Sequence, residues 1–544
     1  MPRALLAPRI LRHKGPRAES HPPKGGSADD LRNPSAIEAG EDVDRRSRNV
    51  VSRRGFLAGL AIVPLAAGCV ARPGAPIPGS ATTRPLPIPP LASSTVGADG
   101  VRHFTLDIQQ GTSEIRAGTH TPTWGYNGAI LGPTVRAARH ESVAFTIRNS
   151  LPESTTVHWH GMHLPARFDG GPHQTIEAGG TWSPAWTIDQ QAAMLWYHPH
   201  PHGATEKHVY RGLSGLFIVD DETTDALDLP KEYGVDDIPL VIQDRRFTAD
   251  GALDESDPTD VGLLGDTIVV NGITGAHLDV RTDRVRLRIL NGSSGRIYNL
   301  AFDDQRTFQL IATDGGLLTA PVTLRTIQVS PGERVELVVD LRGNERIRLR
   351  SLPIEQRRDI DRAAAFGFDD TFDILQLRAA NTLKPAAPVP NSLATIPALA
   401  PAGAKPDYTF ELKWFMINGK RMDMNRIDMT IPVDTTQVWS VRNNDNWPHN
   451  FHVHDVQFQV VDIDGQAPPP ALAGWKDTLY TEPQYTYRLA MRFAQHSDPT
   501  YPYMFHCHLL LHEDHGMMGQ FLVLAPGEQP APMRMDMPGM GHHG

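Results

Sequence analysis

Residues 504–520, MFHCHLLLHEDHGMMGQ, bring a thiol, several imidazoles and thioethers into one short stretch. Cys507 offers a soft thiolate, His512 follows five residues later, and Met517 follows after five more. Cysteine, histidine and a weak axial methionine are ligands of a blue-copper electron-transfer site, which needs one more histidine from elsewhere in the chain. The stretch therefore predicts a copper centre that exchanges single electrons.

Two further histidines flank the cysteine. His506 and His508 stand one residue on either side of Cys507. In an extended strand, their rings point to the face opposite the cysteine side chain. We therefore expect other metal ions on that face, separated from the first centre only by the Cys–His backbone.

Three other His-x-His pairs accompany this one. They are HWH (158–160), HPH (198–200) and HVH (452–454), the last preceded by His449 in HNFHVH. One such pair is weak evidence, because exposed or structural histidines account for most of them. Four pairs, each beside a predicted strand, predict a metal cluster shared between two distant parts of the chain.

A loose repeat divides the body of the chain into three units, in each of which an apolar strand ends in asparagine. The three copies are VAFTIRNS (143–150), VRLRILNGS (285–293) and VWSVRNN (438–444). With 47 Gly, 46 Pro and strands rich in Val, Ile and Thr, the repeat predicts an all-β fold of three tandem Greek-key β-sandwiches. The predicted domains are residues 100–225, 226–381 and 407–527, the middle one a spacer without ligands. Residues 382–406, rich in Pro and Ala, are predicted to be a surface linker.

The N-terminal region has the pattern of an export signal. Residues 1–69 are predicted to comprise a start (1–50) that is either disordered or an over-extended translation start, followed by an export signal. The signal, SRRGFLAGLAIVPLAAGC (52–69), has the twin-arginine pattern, and its end resembles a lipoprotein cleavage box at Cys69. Residues 70–99 are Pro-rich and predict an extended tether. We expect export by the twin-arginine machinery to the periplasm or another extracytoplasmic space, either free or anchored through a lipid on Cys69.

The cysteine count and the net charge bear on disulfide formation and on the class of binding partner. The chain has two cysteines, so loss of Cys69 with the signal leaves Cys507 alone and excludes an internal disulfide. Residues 1–69 carry 12 basic and 7 acidic residues, and their removal takes the net charge from −10 to −15. Such a surface repels nucleic acid. We expect no nucleic-acid partner and a monomeric protein.

The motifs HxHG, HxH, HxxHxH and HCHxxxHxxxxM resemble those of three-domain multicopper oxidases, over about residues 100 to 525. WYHPHPHGATEKHVYRGLSGLFIVDD (196–221) and INGKRMDMN (417–425) are most similar to periplasmic cuprous oxidases and bilirubin-oxidase or laccase-like enzymes. The resemblance implies cupredoxin-like domains and four copper ions: one type 1, one type 2 and two type 3. It also implies an enzyme that couples one-electron oxidation of a substrate to four-electron reduction of O₂ to water.

The same resemblance assigns the ligands position by position. It implies that the type 1 copper is held by His449, Cys507, His512 and Met517. For the cluster it implies His158 and His452 at the type 2 copper, His160, His198 and His508 at one type 3 copper, and His200, His454 and His506 at the other. Because the first and third units each supply half of the cluster, metal binding is expected to stabilise their interface.

Two carboxylates occupy positions where members of that family keep proton donors. Asp169 lies in FDGGP, eleven residues after His158, and Glu513 directly follows His512. O₂ reduction consumes four protons, so both are candidate catalytic residues beside Cys507. The alternative role for each is to orient a ligand histidine, and the two roles can coexist.

The reducing substrate is predicted to be Cu(I), as part of copper tolerance, or a phenol. Asp445 matches an acidic residue that holds substrate copper in cuprous oxidases, although Trp447 replaces a methionine of that site and the family's methionine-rich insertion is missing. The tail 528–544 adds soft ligands for Cu(I): Met533, Met535, Met537, Met540, His542 and His543.

Three alternatives to a cuprous oxidase remain open. The first is a laccase-like phenol or bilirubin oxidase. The second is an envelope lipoprotein that merely sequesters copper through its tail. The third is a non-catalytic relative with a structural role in the cell envelope, which the complete set of expected ligands argues against.

Overall fold

A computed structural model describes residues 83–355 and 360–534, and β-strands form most of its regular structure. Six sheets lie within these ranges, and they pair into three successive β-sandwiches. The helices there are short: α1 (Thr205–Tyr210), α2 (Glu222–Asp225), α3 (Leu510–Asp514) and the 3₁₀ turns Ala166–Phe168, Ala363–Phe366 and Pro470–Leu472. None of these described helices has the length and apolar character that a membrane span requires. The predicted all-β class is confirmed.

The first sandwich follows a short opening strand, β1 (Arg84–Pro85). Its strands are β2 (Ser94–Val96), β3 (Arg102–Ser113), β4 (Thr121–Tyr126), β5 (Val135–Ala138), β6 (Ser142–Asn149), β7 (His158–His160), β8 (Thr181–Trp182), β9 (Ala185–Thr187), β10 (Ala193–His198) and β11 (Gly215–Asp220). One sheet has the order β2-β3-β6-β8, with β4 beside β3 and β9 beside β6, and the other has the order β5-β11-β10-β7. Phe145 of β6 packs against Trp159 and Phe217 of the opposite sheet, because alternate side chains of a strand share one face.

The second sandwich contains eleven further strands of the described chain in addition to β1. They are β12 (Asp237–Arg245), β13 (Thr267–Val270), β14 (Ala276–Thr282), β15 (Arg284–Asn291), β16 (Tyr298–Phe302), β17 (Phe308–Thr313), β18 (Gly316–Leu324), β19 (Thr326–Val329), β20 (Arg334–Asp340), β21 (Arg346–Ser351) and β22 (Phe372–Lys384). The sheet orders are β13-β12-β15-β20-β17-β18 and β1-β14-β22-β21-β16-β19. Buried Arg288 of β15 pairs with Asp237 of β12 through two hydrogen bonds of 2.6 and 3.0 Å.

The third sandwich has the sheet orders β24-β23-β26-β30-β28 and β25-β32-β31-β27-β29. Its strands are β23 (Tyr408–Lys413), β24 (Met416–Ile417), β25 (Met429–Pro432), β26 (Thr435–Asn443), β27 (His449–Val453), β28 (Phe458–Ile463), β29 (Thr478–Thr481), β30 (Thr486–Phe493), β31 (Tyr503–His506) and β32 (Met518–Leu524). Strands β27 and β31 are antiparallel neighbours, with His452 opposite His506. In the first sandwich, β7 and β10 likewise place His158 opposite His198.

An asparagine ends the corresponding strand of each sandwich, which explains the threefold sequence repeat. These residues are Asn149 of β6, Asn291 of β15 and Asn443 of β26. Each side-chain oxygen accepts the backbone N–H two residues later, at 2.9–3.0 Å. Each side-chain amide donates to a backbone carbonyl four or five residues later, in the loop that follows the strand or at its end. Such Asx turns let the chain leave a buried strand without orphaning its polar groups.

The prediction of a free tether over 70–99 is wrong for residues 84–96. Strand β1 pairs in parallel with β14 of the second sandwich, and Leu86 lies buried in that sandwich's core. Strand β2 pairs with β3 of the first sandwich. This stretch has no apolar periodicity of its own, and pairing with distant strands orders it.

The stretch predicted as a linker is also attached to the second sandwich. Strand β22 runs to Lys384, so the boundary predicted at 381 falls inside a strand. Leu393 is buried in a small cluster with Ile311 and Val338, and its N–H donates to the carbonyl of Thr319 at 3.0 Å. The linker therefore crosses the sandwich surface along a fixed path.

Candidate metal centres

The first candidate centre, called here the thiol centre, consists of His449, Cys507 and His512. His449 begins β27, Cys507 follows β31, and His512 lies in α3. The sulfur of Cys507 lies 3.8 Å from Nδ1 of His449 and 3.5 Å from Nδ1 of His512, and the two Nδ1 atoms are 3.1 Å apart. All three side chains are fully buried. The structure thus brings a thiol and two imidazole nitrogens to one point.

Hydrogen bonds on the outer side of both rings turn their Nδ1 atoms inward. His512 donates from Nε2 to the carbonyl oxygen of Asp260 at 2.8 Å, and Nε2 of His449 lies 3.4 Å from Oδ2 of Asp445. Burial raises the pKa of the Cys507 thiol to about 12. A thiolate at this position therefore requires a cation, and two neutral imidazoles with a thiolate suit copper.

Met517 is positioned by both of the neighbouring ligands. Its N–H donates to the carbonyl of His512 at 2.9 Å, and its carbonyl accepts from the N–H of Cys507 at 3.1 Å. The side chain is buried in the core of the third sandwich together with Cys507. The neighbouring Met518 instead begins β32, opposite His506.

The second candidate centre, the histidine cluster, consists of eight buried histidines from two sandwiches. The first sandwich supplies four and the third sandwich four: His158, His160, His198 and His200, and His452, His454, His506 and His508. Rings from the two sandwiches stack face to face, with centroids 3.9 Å apart for His158 and His454 and 3.8 Å apart for His160 and His452. Strand pairing within each sandwich and ring stacking between them together close the cluster.

Three members of the cluster converge, and they are the three that the family resemblance assigns to one type 3 ion. Nε2 of His506 lies 3.2 Å from Nε2 of His200 and 3.2 Å from Nε2 of His454. Strand β31 ends at His506, so the predicted extended strand does not continue through His508. The rings of His506 and His508 nevertheless lie 5.5 Å apart at the cluster, while the sulfur of Cys507 faces the thiol centre.

The remaining cluster histidines form one continuous group rather than two separate sets. Nitrogen atoms of His160 and His198 lie close to His158, and His508 is not part of that closest set. The ring of His508 stands 4.9 Å from His160 and 5.3 Å from His198. His158 and His452, the predicted type 2 pair, have ring centroids 5.9 Å apart. The predicted division of ligands among three ions therefore stays a prediction.

Three other rings of the histidine cluster are hydrogen-bonded through their outer nitrogen and leave their inner nitrogen without a partner. Nδ1 of three rings donates to a backbone carbonyl: His158 to Asp169 at 2.9 Å, His198 to Pro199 at 2.9 Å, and His452 to Asp477 at 2.8 Å. Nε2 of these rings finds no hydrogen-bond partner in the described residues. Burial lowers the pKa of His158 to about 3, so its ring is neutral. Neutral imidazole is a common metal ligand, and a buried unpaired nitrogen costs about 1–3 kcal/mol. The donor set therefore fits a group of metal ions.

Two buried carboxyl groups stand directly behind the cluster. Oδ2 of Asp169 lies 2.7 Å from Nδ1 of His454. The carboxyl of Glu513 lies between two rings, with Oε1 3.4 Å from Nδ1 of His200 and Oε2 3.3 Å from Nδ1 of His506. Burial raises the pKa of both carboxyl groups well above the ordinary range. Each candidate catalytic carboxyl thus touches ligand rings of the cluster.

The predicted substrate-copper residues are only partly described. Asp445 lies beside the thiol centre, and its two oxygens accept from the N–H groups of Trp414 at 2.5 Å and Asn446 at 2.9 Å. The sulfur of Met533 lies 3.6 Å from Nε2 of Gln520. The other predicted residues of the tail, Met535, Met537, Met540, His542 and His543, lie outside the described residues.

The sequence analysis missed residues that orient the ligands. Asp477 contacts both His160 and His452, and Asn450 accepts from Sγ of Cys507 at 3.5 Å and from the N–H of His508 at 2.5 Å. Asn450 was open to detection, because it directly follows His449. Asp477 stands in GWKDT, far from every histidine motif, and no spacing marks it.

Comparisons with known proteins agree with this donor set. Three family profiles described as multicopper oxidase match residues 107–224, 247–347 and 395–527. The chain is 35% identical to multicopper oxidase mco of Staphylococcus haemolyticus over 80% of this chain and 91% of the relative. It is 34% identical to cell division protein FtsP of Escherichia coli over 87% and 99% of the two chains. Among solved structures, the laccase-like multicopper oxidase CueO of Ochrobactrum sp., with oxidase activity towards lignin model compounds and lignosulfonate, matches with a TM-score of 0.73 and 34% identity, over 81% and 100% of the two chains.

Proposed function

The chain belongs to the multicopper oxidase family, and from this premise we propose that it oxidises aromatic substrates at the thiol centre and reduces O₂ to water at the histidine cluster. Membership makes the protein an oxidoreductase that uses copper, O₂ and a reducing substrate. The observation that carries the proposal is the junction of the two centres. Cys507 of the thiol centre stands between His506 and His508 of the cluster, and Nδ1 of His506 lies 3.2 Å from the carbonyl of Cys507.

We assign four copper ions to these ligands, one type 1 ion to the thiol centre with Met517 and three ions to the cluster. Copper bound there would supply one-electron transfer and the site at which O₂ is reduced. The chain's own contribution is to exclude water, since every ligand is buried, and to fix the orientation of each imidazole through its outer nitrogen. The assignment of type 2 and type 3 ions within the cluster rests on the family resemblance.

Aromatic side chains line the surface beside the thiol centre and support an aromatic substrate. The ring of Phe415 meets that of His512 edge-on, with centroids 5.1 Å apart, and lies 6.1 Å from Trp447. The guanidinium of Arg362 sits 5.8 Å over Trp447. Trp414 is 55% exposed. Flat, rigid rings of this kind hold planar aromatic molecules by stacking. The Ochrobactrum relative, with its activity towards lignin model compounds, supports the same substrate class.

Asp445 is engaged by its own chain, which argues against a dedicated Cu(I) site. Its carboxylate accepts from Trp414 and Asn446 and lies against Nε2 of His449. Cu(I) prefers soft thioether or thiolate ligands, and Trp447 stands where a methionine is expected. We therefore place the aromatic substrate first and Cu(I) second, which reverses the order that the sequence suggested.

Trp414→Ala is expected to lower kcat/KM for a phenol roughly 2- to 10-fold, because a stacked aromatic pair contributes about 0.5–1.5 kcal/mol. Cu(I) oxidation and the blue absorption should not change, since the backbone N–H that binds Asp445 remains. O₂ uptake by the copper-loaded protein with each substrate separately measures both effects. Trp182→Ala in β8 of the first sandwich is the control for loss of a tryptophan away from the thiol centre. Equal losses with phenol and Cu(I) would contradict the aromatic assignment.

Cu(I) oxidation in copper tolerance remains the second candidate, because the tail is rich in thioethers and imidazoles. Deleting residues 533–544 separates the two candidates. If the tail collects substrate copper, the deletion raises KM for Cu(I) and leaves phenol oxidation unchanged. If the protein only sequesters copper, the intact chain shows no steady O₂ consumption with either substrate.

A structural role in the cell envelope is a further candidate, which the FtsP relatives favour through their name as cell division proteins. The convergent buried ligands argue for copper chemistry instead, because unpaired imidazole nitrogens are costly to keep without a metal.

We also propose export by the twin-arginine pathway to an extracytoplasmic space and a monomeric state, both on sequence grounds. Cell fractionation and light scattering test these two points.

Asp169→Asn and Glu513→Gln are each expected to slow O₂ reduction by about 100-fold, the scale of a lost proton-transfer group. Both carboxyl groups touch ligand rings from the first and the third sandwich, and neither contacts the thiol centre's nitrogens or sulfur in the described hydrogen bonds. Stopped-flow absorbance follows bleaching of the blue band by substrate and its return with O₂. Slower bleaching with a normal return would contradict proton supply by these groups.

A further inference from the structure

A loop of the second sandwich, residues 330–333 between β19 and β20, reaches the histidine cluster. The backbone of Gly332 has φ +84°, and a Cβ built there would lie 3.0 Å from Cγ and Nδ1 of His508. The side-chain amide of Asn450 donates to the carbonyl of Pro331 at 2.8 Å. The sandwich predicted to be a spacer therefore packs directly on the cluster and on the residue that contacts Cys507.

Arg334, directly after this loop, is fixed by hydrogen bonds on every nitrogen of its guanidinium. Nη1 and Nη2 donate to Oδ1 and Oδ2 of Asp477 at 2.7 and 2.6 Å. The remaining bonds are to backbone carbonyls of Met194, Gly332 and Asp314, at 2.9–3.1 Å. A buried bidentate pair of this kind specifies the position and the plane of the carboxylate.

Asp477, held in this way, contacts two ligand rings of the cluster. Oδ1 accepts from Nε2 of His160 at 2.9 Å, and the backbone carbonyl accepts from Nδ1 of His452 at 2.8 Å. The hydroxyl of Thr478 lies 3.0 Å from the same Nε2 of His160. A carboxylate engaged by arginine can only accept, so it places the proton of His160 on Nε2.

His160 differs from its neighbours in which nitrogen faces the cluster. His158, His198 and His452 donate outward from Nδ1 and leave Nε2 unpaired among the described residues. His160 is bonded through Nε2, and its Nδ1 is the orphan. Backbone carbonyls orient the other three rings, whereas His160 depends on the side chain of Asp477, which directly precedes β29 of the third sandwich, and through it on Arg334.

A ring of buried charges holds the pair in place. Lys476 lies 2.9 Å from Oδ2 of Asp314 and 3.0 Å from Oε1 of Glu333. Oδ1 of Asp314 accepts the N–H of Arg334 at 2.7 Å. Truncating one partner of such a network leaves an uncompensated buried charge and is strongly destabilising.

We propose that Arg334 and Asp477 are positioning residues that hold His160 with Nδ1 facing the histidine cluster, so that the second sandwich sets the cluster's geometry without supplying a ligand from its described residues. This inference rests on the proposed copper cluster. In this proposal the second sandwich orients a ligand of the cluster, in addition to separating the first and third sandwiches. An outer partner of a ligand typically changes metal affinity by about 10–100-fold.

The test compares Asp477→Asn with Asp237→Asn. Asp237 forms an equally buried bidentate pair with Arg288 in the second sandwich and contacts none of the described cluster ligands. Asparagine at 477 has only one acceptor oxygen, so its amide NH2 must face either Nε2 of His160 or a guanidinium nitrogen of Arg334. Either orientation breaks the hydrogen-bonded chain from Arg334 through residue 477 to His160. We expect about 10–100-fold weaker copper binding at the cluster and an altered electron paramagnetic resonance spectrum of the cluster copper, with the blue absorption retained. Asp237→Asn should change only the melting temperature.

Arg334→Lys and the metal-free wild-type protein provide independent readouts. Lysine keeps the positive charge but cannot form the two parallel hydrogen bonds that the guanidinium makes to Asp477. We therefore expect a copper affinity between those of wild type and Asp477→Asn. Nitrogen-15 NMR of metal-free protein labelled in histidine rings, with His160 identified by a His160→Gln variant, should show its proton on Nε2. A proton on Nδ1, or copper content and resonance signal unchanged in both variants, overturns the inference. Wild-type protein that binds no copper would instead refute the proposed function.

Discussion

Cys507→Ser is expected to abolish the intense blue absorption of the copper-loaded protein and to lower substrate oxidation by more than about 100-fold, beyond what loss of an outer partner costs. The sulfur lies within 3.8 Å of Nδ1 of both His449 and His512 and is the one soft ligand at that point besides Met517. Charge transfer from thiolate to copper requires sulfur. A serine hydroxyl can still donate to Asn450, so the fold should survive. Absorbance and circular dichroism together measure both outcomes.

His198→Ala is the matched control for this prediction. It removes a ligand of the histidine cluster and leaves the thiol centre untouched. We expect this variant to stay blue and accept electrons from substrate, but to lose O₂ reduction. A Cys507→Ser protein that remains blue, or a His198→Ala protein that loses the colour, would contradict the assignment of the two centres.

Copper removal is expected to lower the melting temperature by more than about 10 °C. Each ion that binds only the folded state contributes about 4 kcal/mol when its free concentration is a thousand times its Kd. Several buried nitrogens, such as Nε2 of His158 and His452, have no hydrogen-bond partner in the described residues, so loss of the proposed copper would leave each unpaired at a cost of about 1–3 kcal/mol. Calorimetry of the loaded and the chelator-treated protein measures the shift.

Hydrogen exchange locates the effect of copper removal. The amides of β7, β10, β27 and β31 should lose protection, because these strands carry the ligands from both sandwiches. The distant strand β3 serves as an internal control and should exchange as before. A uniform loss over the whole first sandwich would mean that copper stabilises the domain itself rather than the contact between sandwiches.

The parts of the fold that could be predicted from the sequence are those in which a short motif bonds to residues close to it in the chain. Asn149, Asn291 and Asn443 each satisfy the backbone two residues later, so the same short motif recurs in all three sandwiches. Leu86 and Leu393 were misplaced, because their burial depends on strands that lie far away in the sequence. Sequence patterns report periodicity and turns, but not the distant strand that an irregular segment meets.

The candidate ligand histidines could be recognised in the sequence because short His-x-His motifs lie on paired strands. His158 and His452 stand in short motifs that repeat on facing strands. Asp477 and Arg334 were not accessible, since a single carboxylate among 62 acidic residues carries no pattern. The hydrogen bonds that engage Asp445 could not be predicted either, because the N–H groups of Trp414 and Asn446 meet its carboxylate only in the folded protein.

The distance along the chain between two ligands sets the order of events during protein synthesis. Nε2 of His200 and of His506 lie 3.2 Å apart, although 306 residues separate them in the sequence. A ribosome that adds about 5–20 residues per second makes these two side chains roughly 15–60 s apart. Until His452 is made, the nascent chain holds only the four cluster histidines of the first sandwich: His158, His160, His198 and His200. The complete cluster is therefore expected to bind its ions only after the third sandwich has been synthesised.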